Sequence, residues 1–290
     1  MLLIVGTVPD KNFPLTFDKV SITGNKLVIG DKNIDIQRGT PALIAAAACT
    51  LDFFNCDDNL LALLSGDEGN GAGSREIYKW LVNTKDWLNA SIITFHYLMP
   101  DVEWHCRITE SIRTLTEKPV LIADAGFMYV AKMSGEAGFY DIFTPDAGEL
   151  AFLADEKAPH PLYTRGFILH EDMMALPELA KRAFKNKDSA KILVIKGADD
   201  FIADENGIVE TISKPSNPYL EAVGGTGDTL CGILSALCNY YNNKERIKEA
   251  AKIACKINRI AGVLGDITPA SKISELIYAI PKSLETFFKN

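Results

Sequence analysis

Short, nearly continuous apolar runs recur along the chain, and stretches with three-to-four-residue apolar spacing lie between them. "MLLIVGTVP" at the N-terminus, "LLALLSG" (60–66), "ASIITFHYL" (90–98), "KPVLIADAG" (118–126), "YDIFTPD" (140–146) and "AKILVIKGA" (190–198) read as strands. "SREIYKWLV" (74–82), "EWHCRITESIRTL" (103–115) and "MALPELAKRAFKN" (174–186) read as helices. Strands without polar alternation are buried on both faces. The pattern therefore predicts an α/β fold with a mainly parallel central sheet and helices on both faces. "DDFIADENGIVETIS" (199–213) differs and reads as a hairpin turning at Glu205-Asn206-Gly207. Helical spacing then dominates over 228–241, 245–264 and 271–288. No repeat, low-complexity tract or polar linker interrupts the chain, and a single domain over residues 1–290 is the expectation.

Composition narrows the partners. The chain has 290 residues, 47% of them hydrophobic, and a net charge of −8. A non-specific polyanion binder needs a basic surface, so neither nucleic acid nor an anionic membrane is an expected partner. A local phosphate site stays open, because backbone N–H groups bind phosphate in a chain of any net charge. The N-terminus lacks the basic and small-residue signals of a leader. No stretch reaches the ~18 continuous apolar residues of a membrane span, so a cytoplasmic location is expected. The six cysteines form no CxxC pair and read as structural thiols, and the four histidines show no metal-ligand spacing.

In open parallel sheets ligands gather outside the carboxyl ends of the strands. The polar residues placed there are Asp124, then Asp146 and Glu149, then Lys196 and Gly197. Gly224-Gly225-Thr226-Gly227-Asp228 joins them, ahead of a helix with apolar Leu230, Ile233, Leu234 and Leu237. Its glycines permit positive φ and close ligand approach, and the helix end favours an anion. Asp228 beside that anion is placed to take a proton from an attacking hydroxyl. The plainer reading is a tight turn with Asp228 as a helix cap. Asp146 and Glu149 likewise read either as paired carboxylates for Mg²⁺ or as a helix cap and its reciprocal partner. "SGDEGNGAGSREIY" (65–78) reads as a rim or substrate-side loop with Ser74 as a cap. His96 in "HYLMP" reads as a structural histidine or a substrate contact.

The glycine loop resembles the GxGD signature of the ribokinase-like superfamily, and within it the NAD(P)H-hydrate dehydratase group. "TPDAGELAFL" (144–153) is similar to that group's Thr-Pro-His-x-Gly-Glu segment, and "ILVIKGADDFIADENG" (192–207) to its strand-Lys-Gly-Ala hairpin. "AAKIACKINRIAG" (250–262) resembles its Ala-rich helix, and "GTPALIAAAA" (39–48) its Gly-Ala-Pro helix. The resemblance implies ADP or ATP bound with Mg²⁺, Asp228 as catalytic base, and Lys196, Gly197, Ala198 and Gly224–Gly227 on the phosphates. It also implies substrate contacts from Gly39, His96, Asp124, Asp146 and Gly148, a cation held through water by Glu149, and a homo-oligomer. The implied reaction is nucleotide-dependent dehydration of hydrated NADH or NADPH. The sequence departs from the group's pattern at three places, and the first and last of them favour a small-molecule kinase as the alternative. Asp146 replaces the group's His, "ADAGFMY" (123–129) keeps only its first acid, and "HYLMPDVEW" (96–104) stands where a Gly-Pro-Gly-Leu-Gly loop belongs.

Overall fold

The computed structural model describes residues 1–56, 60–158 and 176–289. Six parallel strands form the middle of its sheet: β1 (Leu2–Val8), β5 (Leu60–Gly66), β6 (Ile92–His96), β7 (Val120–Ala123), β8 (Ile142–Phe143) and β9 (Ile192–Ile195). Between β1 and β5 the chain adds β2 (Thr16–Thr23), β3 (Lys26–Ile29) and β4 (Lys32–Asp35). Beyond β9 it adds β10 (Asp200–Asp204) and β11 (Gly207–Ile212), the expected hairpin. The described strands make one eleven-stranded sheet in the order β11-β10-β9-β8-β7-β6-β1-β5-β2-β3-β4. Its centre is parallel and both edges are antiparallel. The β2–β4 meander does not follow from the apolar pattern. Its eight-residue β2 is mostly polar and has one buried side chain, and β3 and β4 have only four residues each.

Alternation through each central strand divides the core in two. Leu2, Ile4, Ala62, Leu64, Ile92, Ile122 and Val194 face one helical layer. That layer is α1 (Thr40–Phe53), α7 (Thr226–Tyr241), α8 (Ile247–Leu264) and α9 (Ile273–Phe288). Leu3, Val5, Leu63, Ile93, Phe95, Leu121 and Ile195 face the other. That layer is α2 (Ala72–Asn83), α3 (Val102–Arg113), α4 (Gly126–Met133), α5 (Ala147–Ala154) and α6 (Leu176–Lys185). Residues 174 and 175 of the helix predicted over 174–186 lie outside the described residues. Because the six central strands are parallel, their carboxyl ends share one edge. Across β6, β7, β8 and β9 that edge presents His96, Asp124, Asp146 and Lys196 in turn.

Helices α1 and α7 approach closely over that edge. A Cβ on Gly232 would lie 2.1 Å from the Leu43 carbonyl oxygen, so only glycine permits the crossing. The approach brings the N-termini of both helices to the same place. All six cysteines are free thiols, with Cys231, Cys238 and Cys255 buried in this layer. No described helix is long and apolar enough to cross a membrane.

Candidate active site

A cavity of about 560 Å³ opens where the carboxyl ends of β7, β8 and β9 meet the start of α7. It gathers Asp124, Asp146, Glu149, Lys196, Gly197, Ala198, Gly225, Thr226, Gly227 and Asp228. Gly225 caps α7 with φ 108, a left-handed conformation, and a Cβ there would lie 2.9 Å from Ile273 Cγ1. Gly227 leaves room for the Lys196 side chain, whose Cδ would stand 3.2 Å from an added Cβ. The glycines thus serve close packing around the exposed N–H groups at the start of α7.

Lys196 Nζ donates to Asp124 Oδ1 at 2.8 Å. Burial disfavours its charge, but the carboxylates of Asp124 and Glu149 outweigh that and hold it an ammonium. Burial likewise opposes ionisation of Asp228. The His96 hydrogen bond, the Gly39 N–H and Lys196 together overcome it, so the carboxyl sits below its usual range. Asp228 is therefore ionised at neutral pH, the state that accepts a proton. Its Oδ2 accepts from Gly39 N at 2.6 Å, and its Oδ1 lies 3.1 Å from His96 Nε2.

The capping reading of Asp146 and Glu149 is realised. Glu149 N donates to Asp146 Oδ1 at 2.8 Å and Asp146 N to Glu149 Oε2 at 2.9 Å, a reciprocal capping box on α5. The same carboxylates border the cavity. Asp124 Oδ2 is buried and has no hydrogen-bond partner among the described residues. An orphaned carboxylate oxygen, with Asp146 and Glu149 nearby, is a donor set that suits a hard divalent cation such as Mg²⁺. Ligand-type atoms of His96, Asp124 and Asp228 also lie within 4.8 Å of one another. A cation there would have to displace the His96–Asp228 hydrogen bond.

Burial, with the charges of Asp146 and Asp124, pushes the Glu149 carboxyl up to about 8 from 4.5, against the pull of Lys196. A carboxyl whose folded pKa exceeds its unfolded one holds its proton better when folded. Stability therefore falls as pH rises from about 4.5 to about 8 and does not return above that. The thermal-stability advantage of Glu149→Gln over the wild type is expected to grow across that window in cation-free buffer. Parallel melting curves of the two proteins over that range would contradict the assignment.

Several expectations change. His96 and Gly39 do not line the cavity. The His96 ring is wholly buried, and both residues hydrogen-bond Asp228. Gly148 and Gly224 are also absent from the lining; Gly224 packs on the Arg38 side chain. Ser74 is not the cap of α2, which begins after Gly71. Its hydroxyl instead donates to Asp67, which also accepts from the N–H groups of Gly69, Gly71 and Ser74. Asp67 occupies that helix N-terminus as an internal anion.

Other lining residues had a fainter signal. Tyr97 has φ 49, unusual for a non-glycine residue, and sets its half-exposed ring at the cavity. Asn258 and Arg259 are polar interruptions in the apolar run of α8. Asn258 holds Thr229 Oγ1 and the Thr226 carbonyl, and Arg259 holds the Gly197 and Ala198 carbonyls.

A sheet-edge cavity of this kind, with a glycine-rich turn delivering an aspartate into a helix's first turn, is the layout that the ribokinase-like resemblance implied. Residues 100–274 match the family model of NAD(P)H-hydrate dehydratase, and the chain belongs to this carbohydrate-kinase-like family of enzymes. An uncharacterised protein of Methanocaldococcus jannaschii is 39% identical over 247 residues, 85% of this chain and all of that protein. A bifunctional NAD(P)H-hydrate repair enzyme of Pyrobaculum aerophilum is 25% identical over 182 residues, 62% of this chain but 32% of that enzyme's length. Among solved structures, the ADP/ATP-dependent NAD(P)H-hydrate dehydratase of Bacillus subtilis, co-crystallised with ATP and Mg²⁺, superposes with a TM-score of 0.57 at 16% identity. The match covers 99% of this chain and 89% of that one. Phosphofructokinase-2 of Escherichia coli, in complex with fructose-6-phosphate, gives 0.54 at 11% identity, covering 98% and 99%. At these identities the likeness concerns the fold.

Proposed function

We propose that this chain is a nucleotide-dependent NAD(P)H-hydrate dehydratase, using ADP or ATP with Mg²⁺. The observation that carries it is Asp228, ionised and facing the cavity beside the N–H groups at the start of α7. The hydrated cofactor's hydroxyl gives its proton to Asp228 as its oxygen bonds the terminal phosphorus, and the bond to the nucleotide's leaving oxygen breaks. The resulting phosphate ester loses inorganic phosphate from the hydroxyl-bearing carbon and a proton, passed to solvent, from the neighbouring ring carbon, and the ring double bond returns between them. Lys196 and the N–H groups of residues 225–228 offset charge on the transferring group. Asp124, Asp146 and Glu149 would hold Mg²⁺, which supplies charge neutralisation between phosphate oxygens.

A second reading, a small-molecule kinase, is favoured by one observation. Asp146, which lines the cavity, stands where the dehydratase resemblance expects a His. Both readings use Asp228; a kinase stops at the ester. The expected result with NADPH hydrate, ATP and Mg²⁺ is recovery of NADPH absorbance with stoichiometric inorganic phosphate. No recovery of NADPH, with a stable phosphorylated product from another alcohol, would replace the first reading by the second.

A further inference from the structure

The hydrogen bonds behind Asp228 run away from the cavity into the core. His96 Nε2 lies 3.1 Å from Asp228 Oδ1, and His96 Nδ1 lies 2.9 Å from the Thr40 hydroxyl. Hydroxyl, imidazole and carboxylate in this order have the composition of a nucleophile–base–acid triad. Burial excludes that use: Thr40 is 1% exposed and His96 0%. Only the carboxylate end reaches the cavity. The line therefore acts outward, with Thr40 fixing the ring and the ring fixing Asp228.

Asp228 needs such fixing. Its side chain can turn about two bonds, and one donor leaves it free to pivot. A donor on each oxygen removes that freedom: Gly39 N on Oδ2 and the His96 ring on Oδ1. The ring has a competing acceptor, since the partnerless Asp124 Oδ2 lies 3.8 Å from the same Nε2. Thr40 decides the competition. With Nδ1 tied to its hydroxyl, the ring plane is set so that Nε2 faces Asp228 Oδ1, and the acceptor-only carboxylate takes the Nε2–H. Gly6 makes room for this, because a Cβ there would lie 2.8 Å from Thr40 Oγ1. The dipeptide Gly39-Thr40 at the start of α1 thus holds Asp228 twice, once directly and once through the ring.

We infer that His96, set by Thr40, is a positioning residue for Asp228: it fixes the carboxylate for proton acceptance and never touches substrate. The inference rests on Asp228 being the proton acceptor. Three variants test it: His96→Phe, which keeps shape without a donor; His96→Gln, whose amide N–H falls near the Nε2 position; and Thr40→Val. With NADPH hydrate, ATP and Mg²⁺, His96→Phe is expected to lower kcat roughly 10–100-fold, the scale of a misplaced reacting group, with KM and calorimetric ATP affinity unchanged. His96→Gln should restore most of kcat, and Thr40→Val should lower it by less than His96→Phe. A folded His96→Phe with wild-type kcat, or equal losses in the Phe and Gln variants, overturns the inference. Proton NMR gives a readout that needs neither substrate nor a folded His96→Phe variant. A slowly exchanging ring N–H signal, absent from His96→Gln, is expected to shift in Asp228→Asn. A ring signal indifferent to Asp228→Asn also overturns the inference. Failure of the wild type to restore NADPH would strike the proposed reaction alone, and the NMR result would still decide the positioning.

Discussion

Asp228→Asn is expected to lower turnover by about 10²–10⁴-fold while leaving ATP affinity near the wild-type value, because it removes a positioned proton acceptor and little else. The amide is nearly the same size as the carboxylate and keeps its place in the first turn of α7. It cannot take up a proton. It also has one acceptor oxygen where the carboxylate has two, and two N–H groups, of His96 and Gly39, need acceptors. One of them is left facing an amide donor, so the variant should also lose about 1–3 kcal/mol of stability. Single-turnover rates, ATP calorimetry and thermal melts separate these effects. Turnover close to wild type, or joint loss of turnover and ATP affinity, would remove Asp228 from the role of base and leave it a structural cap.

The parts of this molecule visible in the chain are those whose cause is local. The runs at 60–66, 92–96, 120–123 and 192–195 are apolar without alternation because helices cover both faces of the parallel sheet. The loop at 224–228 announces itself because Gly225 takes a positive φ hard against Ile273, while Gly224 and Gly227 pack on the side chains of Arg38 and Lys196. The β2–β4 meander is hidden because it lies at an edge, where polar side chains suit solvent, and because β3 and β4, at four residues each, carry no period. His96 is hidden for a different reason. Its partners, Thr40 and Asp228, lie 56 and 132 residues away, and a lone histidine has no spacing to read. Asp146 and Glu149 show how one pattern carries two meanings, since a capping box at a cavity edge serves the helix and also presents two carboxylates. Asn258 and Arg259 carried a readable signal, a polar pair set into an apolar helical face. Only the fold shows that the pair faces the residues flanking the glycine loop and the lysine.

Arg259→Met is expected to cost about 3–5 kcal/mol of stability, because it leaves a buried carboxylate without its cation. Arg259 and Asp200 are both buried, and Arg259 Nε donates to Asp200 Oδ2 at 2.7 Å. Burial already pushes the Asp200 carboxyl up, and the guanidinium holds part of that rise back. Without Arg259 the folded-state pKa of Asp200 climbs further above its unfolded value. The damage should therefore shrink as pH falls, since a protonated Asp200 needs no counter-charge. Adding Asp200→Asn to Arg259→Met should recover much of the loss, for the same reason. Denaturant unfolding of the single and double variants at neutral and acid pH measures all three effects. A single variant within about 1 kcal/mol of wild type at neutral pH would show the pair to be dispensable. The same substitution reaches the active site through the backbone. Arg259 Nη2 donates to the carbonyl oxygens of Gly197 and Ala198, 3.2 and 2.8 Å away, and so holds the turn after Lys196 against α8. ATP affinity should fall in Arg259→Met and stay low in the double variant, because restoring charge balance at residue 200 does not restore the donors to that turn. Stability and nucleotide affinity, lost together in the single variant, are expected to separate in the double one, and that separation distinguishes the guanidinium's charge from its hydrogen bonds.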